Sequence, residues 1–360
     1  MLLTAISDIC PATEFETPEI HADVSIQSAF YLDEDDRIPY LSQSSDKTEI
    51  RHAAIEAEGV LGKYLEYNVE IGLSTCAGGG CSTSGSLTLA EAGVFFKPYE
   101  FFKIGLYQGH VMRGFELYQE CTEVLTAEKP HLKGIFTCHP LGLLVETDYK
   151  FDENMGVNAQ LTINNGNSGS GSIEDEHDIN LGAQFRTPYP GLSVGGFYTD
   201  WQWKVSEYDP DISDFKSTCY NGSRIGFGFD YDHSGLKIRS EYYLIDGYVD
   251  TNPIRTYTSG GDTLSAEDLE SRGFFLEGGY AFDMPGEMIP FIQPYAMYQS
   301  WDKASNADGD NKLTYLTLGV ACGLGSEHAF LKVDYEMPLD SPDDTFDEAK
   351  RLIVRLTSGF

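Results

Sequence analysis

Residues 111–138 hold the densest set of side chains in this chain that could act on an ion or a solute. Glu116, Glu120 and Glu123 recur at i, i+4 and i+7, so a short helix would stack three carboxylates on one face. His110 and Arg113 lie beside them. On the wall of a water-filled passage such a face would narrow the way through and favour cations. On a solvated loop it would be an ordinary charged helix face, and the spacing fits both readings.

Other constellations carry less chemistry. Cys76 and Cys81 flank Ala-Gly-Gly-Gly, and in an oxidising compartment that spacing predicts a disulfide that staples one loop. Cys121 and Cys138 bracket the acidic segment and could form a second staple, whereas Cys219 and Cys322 are expected at opposite ends of the fold. No C-x-x-C pair occurs, so no zinc centre is expected from the cysteines. The run Asn306 to Asn311 looks like a calcium loop, but an EF-hand register with Gly309 sixth puts Ala304 first and Tyr315 twelfth, where ligands are needed. The histidines are scattered, no H-E-x-x-H occurs, and nothing in the sequence places His52 beside Ser193. The chain is therefore expected to be no enzyme and to use no cofactor or metal.

Composition bounds the elements that must position these groups. The chain has 57 Asp and Glu against 24 Lys and Arg, a net charge of −33. That much negative charge repels phosphates, so nucleic acid is excluded as a partner. With 22 Tyr, 21 Phe and 37 Gly in a chain only 41% hydrophobic, the content points to strands and turns. No stretch approaches the ~18 consecutive apolar residues of a membrane helix. An acidic soluble β-protein and a membrane β-barrel remain.

The alternation of short and long connections separates these two. Period-2 strands are predicted at 23–33, 49–61, 64–74, 87–97, 101–110, 139–151, 155–164, 178–187, 192–204, 224–232, 236–248, 272–282, 290–301, 312–324, 328–338 and 349–360, sixteen in all. On one side the chain turns tightly, as at Gly62-Lys63, Pro98 to Glu100 and His233 to Gly235. The other side carries long polar loops at 34–48, 75–86, 111–138, 165–177, 205–223 and 249–271. An even count of roughly 10-residue strands with short turns and long loops is the signature of a bacterial outer-membrane barrel. The expected fold is all-β, a 16-stranded antiparallel transmembrane β-barrel with short periplasmic turns and long extracellular loops. Residues 1–22, with no Lys or Arg before Cys10, are expected to be a leader remnant or periplasmic tail, and 23–360 a single barrel. The last strand alternates Leu352, Val354, Leu356 and Ser358 to a terminal Phe360, resembling the closing signal that barrel assembly machinery reads.

Sixteen strands enclose a lumen too wide for side chains to fill, so the polar face should line water and the apolar face should meet lipid. The wall positions expected to line the pore are Glu56, Glu58, Glu66, Glu70, Lys103, Lys237, Arg239, Glu241, Glu277, Lys332, Asp334, Arg351 and Arg355. A soluble, secreted all-β protein that binds a ligand or partner through acidic loops is the alternative.

Several fragments add a resemblance. Ile50-Arg51-His52-Ala53-Ala54-Ile55-Glu56-Ala57-Glu58-Gly59 looks like the second-strand motif of the phosphate-selective porins, porins O and P. Phe96-Lys97-Pro98, Phe102-Lys103-Ile104-Gly105 and Gly114-Phe115-Glu116 are similar to the stretch entering that family's constriction loop. Ser240-Glu241-Tyr242 and Gln293-Pro294-Tyr295-Ala296-Met297-Tyr298 resemble its later strands. The resemblance implies a diffusion channel for small solutes or ions, a homotrimer in outer-membrane lipid, with residues about 111–138 folded inward as the third loop. Separately, the acidic outer loops are expected to bridge to lipopolysaccharide through divalent cations. In that reading His110, Arg113, Glu116, Glu120 and Glu123 form the constriction. The chain departs from the family pattern at Met297, where relatives tend to have arginine, and acidic wall positions outnumber basic ones. A weakly cation-selective channel, or a general one for small polar solutes, follows.

Overall fold

A computed structural model describes residues 17–31, 47–75, 82–115, 125–127, 140–164, 178–209, 214–247, 258–264, 268–309, 311–325, 329–340 and 350–359. Sixteen long strands form one antiparallel sheet: β1 Glu19–Tyr31, β2 Lys47–Leu61, β3 Leu65–Thr75, β4 Ser82–Tyr99, β5 Phe102–Gln108, β6 Leu141–Lys150, β7 Gly156–Asn164 and β8 Asp178–Arg186 in its first half. The second half is β9 Leu192–Asp209, β10 Asp214–His233, β11 Leu236–Asp246, β12 Glu270–Tyr280, β13 Phe291–Asp302, β14 Lys312–Gly323, β15 Ala329–Asp340 and β16 Arg351–Gly359. Each strand pairs with its neighbours in sequence, and β1 also pairs with β16, from Asp23↔Gly359 to Tyr31↔Arg351. The sheet is therefore a closed barrel without edges, as predicted.

Which face points inward is settled by burial. On β15 the buried residues are Lys332, Asp334 and Glu336, while on β8 and β10 Leu181, Ile225 and Phe227 are exposed. Charged groups inside and large apolar groups outside invert the order of a soluble barrel, and this is the arrangement that a hydrocarbon surround stabilises. At the short-turn end an aromatic row runs from Tyr99 through Phe101, Tyr149 and Phe151 to Phe185, with ring centroids 5.3–6.5 Å apart. Amphipathic rings at that level suit the border between hydrocarbon and headgroups. Among the described residues no helix is long and apolar enough to cross a membrane.

Two loops are shorter than the sequence suggests. β9 and β10 pair from Leu192↔Tyr231 out to Asp209↔Asp214, so most of the predicted loop 205–223 is strand. Likewise β3 and β4 reach Thr75↔Ser82, leaving only 76–81 of the loop predicted at 75–86. The polar, Gly- and Ser-containing sequence there lacks the apolar face that marks a strand, yet the ladder continues because each hairpin already fixes its register. One sheet irregularity has a local cause. Pro294 on β13 supplies no N–H, and one residue past the position that faces it the partner chain breaks at Ala281 before resuming as Phe282–Asp283.

Candidate functional site

After β5 the chain leaves the wall at Gly109 and turns into the barrel. Residues 110–115 and 125–127 are buried against inward faces of strands far apart in sequence. The His110 N–H donates to Glu91 Oε1 on β4 (3.2 Å), and the Met112 N–H donates to Gln160 Oε1 on β7 (2.7 Å). Asn180 Nδ2 on β8 donates to the Met112 carbonyl (3.1 Å). Arg113 Nη2 meets Asp178 Oδ2 at the start of β8 (3.2 Å), with both side chains 1% exposed. Two glycines make this approach possible. A Cβ on Gly182 would lie 2.5 Å from the Met112 carbonyl oxygen. Gly114 adopts φ +101°, and a Cβ there would collide with the Glu241 carboxylate.

Two carboxylates of the far wall bracket the segment. Glu241 on β11 accepts the Phe115 N–H (2.9 Å) and the Tyr243 hydroxyl (2.6 Å). Asp334 on β15 accepts the Ala127 N–H (2.7 Å) and the Tyr295 hydroxyl. Leu125 packs beside them against Tyr295 and Ala321. Each bracket is a buried acid that takes a main-chain N–H from the inserted segment and is held in place by a tyrosine. Main-chain donors brought into the barrel thus keep acceptors. Glu116, Glu120 and Glu123, which lie between the brackets in sequence, fall outside the described residues, as do Cys76, Cys81, Cys121, Cys138 and Phe360.

Most of the other predicted wall residues fall into two groups, with Glu56, Glu70 and Lys237 outside both. Arg239 is fully buried and pairs with Asp230 (2.8 Å) and Glu277 (3.7 Å). Arg355 donates from Nε to Gln27 Oε1 (2.9 Å), Arg351 from Nε to Glu336 Oε1 (2.9 Å), and Lys332 is buried on β15. Met297 is buried on the same inward face of β13 as Tyr295. The remaining group lies around open space. Glu58, Glu66 and Lys103, with Glu19, Glu146, Tyr107, His110 and Gln160, line a cavity of about 560 Å³. Here Lys97 Nζ meets Glu66 Oε1 (2.7 Å) and Lys103 Nζ meets Glu146 Oε1 (3.2 Å), with these side chains partly exposed. Glu56 is half-buried, Glu70 is buried, and Lys237 is half-buried near the β10–β11 turn.

Sequence reasoning did not single out Asp178, Gln160, Asn180, Tyr243 or Tyr295. Their roles arise only from the folded-in segment, and period-2 alternation gives them no mark beyond facing inward. Ser193 sits in a run, Gly191 to Gly195, that spells G-x-S-x-G. It lies at the start of β9 after a turn, with no helix following, so the strand-to-helix elbow that exposes a nucleophile is missing. Asn306 is engaged in holding loops together: its Oδ1 accepts the Glu270 N–H (3.1 Å) and its Nδ2 donates to the Asp268 carbonyl (2.5 Å). Cys322 is a free thiol on β14.

A closed 16-stranded barrel, apolar outside and charged inside, with a connection inserted after its fifth strand, defines the class: a membrane-spanning β-barrel of porin architecture. Comparison with solved structures agrees on the fold. The chain is similar to OmpF of Salmonella typhi in complex with daunomycin, at 14% identity and TM-score 0.60, covering 95% of this chain and 97% of that one. It is also similar to the outer membrane channel DcaP of Acinetobacter baumannii, at 12% identity and TM-score 0.57, with 95% and 97% covered. OmpT of Vibrio cholerae in its trimer form superposes at 13% identity and TM-score 0.52, with 97% and 100% covered. No protein-family model matches the chain, and no curated protein matches it by sequence.

Proposed function

We propose that this chain is a bacterial outer-membrane porin, a passive diffusion channel for small polar solutes or ions with a weak preference for cations. The observation that carries this reading is the inverted barrel with open, charged space inside it. The cavity is lined by Glu19, Glu58, Glu66 and Glu146 against Lys103 and the imidazole of His110. That excess of carboxylates raises the local concentration of cations along the path. His110 and Arg113 belong to the segment that narrows the lumen, and Glu116, Glu120 and Glu123 would carry the same sign of charge into it. The inward Met297 and the acidic open wall favour this selectivity over the phosphate preference that the sequence fragments suggest. A homotrimer in outer-membrane lipid fits the reading, since OmpT of Vibrio cholerae is known in a trimer form.

The test is a reversal potential across a planar bilayer under a salt gradient, with the barrel purified in detergent. Stepwise conductance with a cation-selective potential is expected. An anion-selective potential would restore the phosphate reading. Absence of conductance from protein that still migrates faster unboiled than boiled would favour a binding protein instead.

A further inference from the structure

We infer that Glu19, His21 and Glu58 form a divalent-cation site at the rim of the lumenal cavity, with a donor set suited to Zn²⁺. The three residues are brought together by two adjacent strands. β1 and β2 pair antiparallel with Glu19 directly opposite Glu58, and His21 lies two residues along β1 on the same inward face. His21 Nε2 is 3.8 Å from Glu19 Oε2 and 3.6 Å from Glu58 Oε1, and the donor atoms of all three lie within 4.8 Å of one another.

The geometry is that of ligands around an ion more than that of partners to each other. Neither separation closes to a hydrogen bond. A tetrahedral ion bound at ~2.1 Å holds its ligand atoms about 3.4 Å apart, a few tenths of an ångström from the two separations that His21 makes, and a small rotation of the exposed glutamates would bring the third into line. Two glutamates facing each other across an antiparallel pair repel, and Asp23 and Glu56 add charge on the same inward face, with Glu56 in register with His21. A cation between the carboxylates offsets that repulsion. An imidazole nitrogen and carboxylate oxygens are zinc ligand types, and three of them leave a fourth tetrahedral position open, whereas Ca²⁺ takes about 6–8 oxygens and Mg²⁺ a near-octahedral oxygen shell. All three side chains are at least half exposed, so water or a solute can occupy the fourth position. Glu19 and Glu58 also line the cavity, and a bound ion there would place positive charge at an acidic mouth.

The test is calorimetric titration of ZnCl₂ into the purified barrel in detergent, with MgCl₂ as comparison. One saturable Zn²⁺ site is expected. His21→Ala and Glu58→Gln should each weaken it by about tenfold or more, because each removes one of only three protein ligands. Glu153→Gln, at an exposed turn, should leave it unchanged. Exposed positions tolerate these changes, and faster migration of the unboiled protein confirms a closed barrel in each variant. No saturable binding, or full affinity in both His21→Ala and Glu58→Gln, would overturn the site. The readout does not involve conductance, so it stands or falls separately from the channel reading.

Discussion

The β2–β7 side of the lumen and the β8–β15 side use the same residue types at the same alternate spacing, and they end in opposite environments. On the first side Lys97–Glu66 and Lys103–Glu146 face open space and keep part of their surface in water. On the second, Arg113–Asp178 and Arg239–Glu277 are sealed at 1% exposure or less. The inserted segment contributes to the difference: it touches the first side only at Glu91 on β4 and Gln160 on β7, through His110 and Met112, and it docks on β8, β11 and β15 through Arg113, Phe115 and Ala127. Charge on the sealed side, at Arg113, Glu241 and Asp334, holds the segment in place, and charge on the open side stays in contact with water. The division follows from desolvation: a paired charge out of water is costly to disturb, while an exposed pair is worth little and is screened.

Breaking a sealed pair should therefore have the largest effect on stability. Arg113→Ala takes the guanidinium away from buried Asp178, at a cost of up to about 3–5 kcal/mol. The expected outcome is a lower temperature for conversion of the unboiled to the boiled gel form, partly recovered by adding Asp178→Ala. Next comes Asp334→Ala, which strands the Ala127 N–H and the Tyr295 hydroxyl. Buried donors left unsatisfied cost about 1–3 kcal/mol each. With one bracket gone, single-channel recordings should show added open-state noise, and Asp334→Asn, which keeps an acceptor oxygen, should be intermediate. If either Ala variant behaves as the parent does, the segment is not held by this wall.

How much of this could be read beforehand depends on what leaves a periodic trace. Strands such as β3, β11 and β15 alternate apolar and charged residues, so their existence and their inward set, including Arg239, Glu241, Lys332 and Asp334, follow from spacing alone. The outer parts of β4, β9 and β10 do not alternate in this way, because neither face there is obliged to be apolar. The pairings of the site are another matter. Arg113 and Asp178 are 65 positions apart, and Ala127 and Asp334 are 207 apart. Nothing local links such residues, since the link is made by a segment that leaves its own hairpin. Glu19 and His21 were hidden differently: they precede residue 23, where the strand was expected to begin, and β1 in fact starts at Glu19.

The smallest expected effects on stability belong to the open side, and they sharpen the comparison most. Lys103→Ala removes a partly exposed partner of Glu146 and should change stability by no more than about 1 kcal/mol. It also removes the lysine among the residues lining the cavity, so the reversal potential should move toward greater cation preference. Glu66→Gln should do the reverse at a similarly small cost. It deletes one negative charge at the cavity and leaves Lys97 without its 2.7 Å partner, so the local balance becomes one unit more positive whatever Lys97 then contacts. Glu277→Gln makes the same charge change behind the sealed wall, beside fully buried Arg239. If position decides role, Glu66→Gln shifts selectivity and spares stability, whereas Glu277→Gln lowers stability and leaves selectivity nearly in place. The opposite pattern, measured as reversal potential against gel-form conversion temperature, would mean that ions pass along the β8–β15 side and that the cavity by Glu66 is not the path.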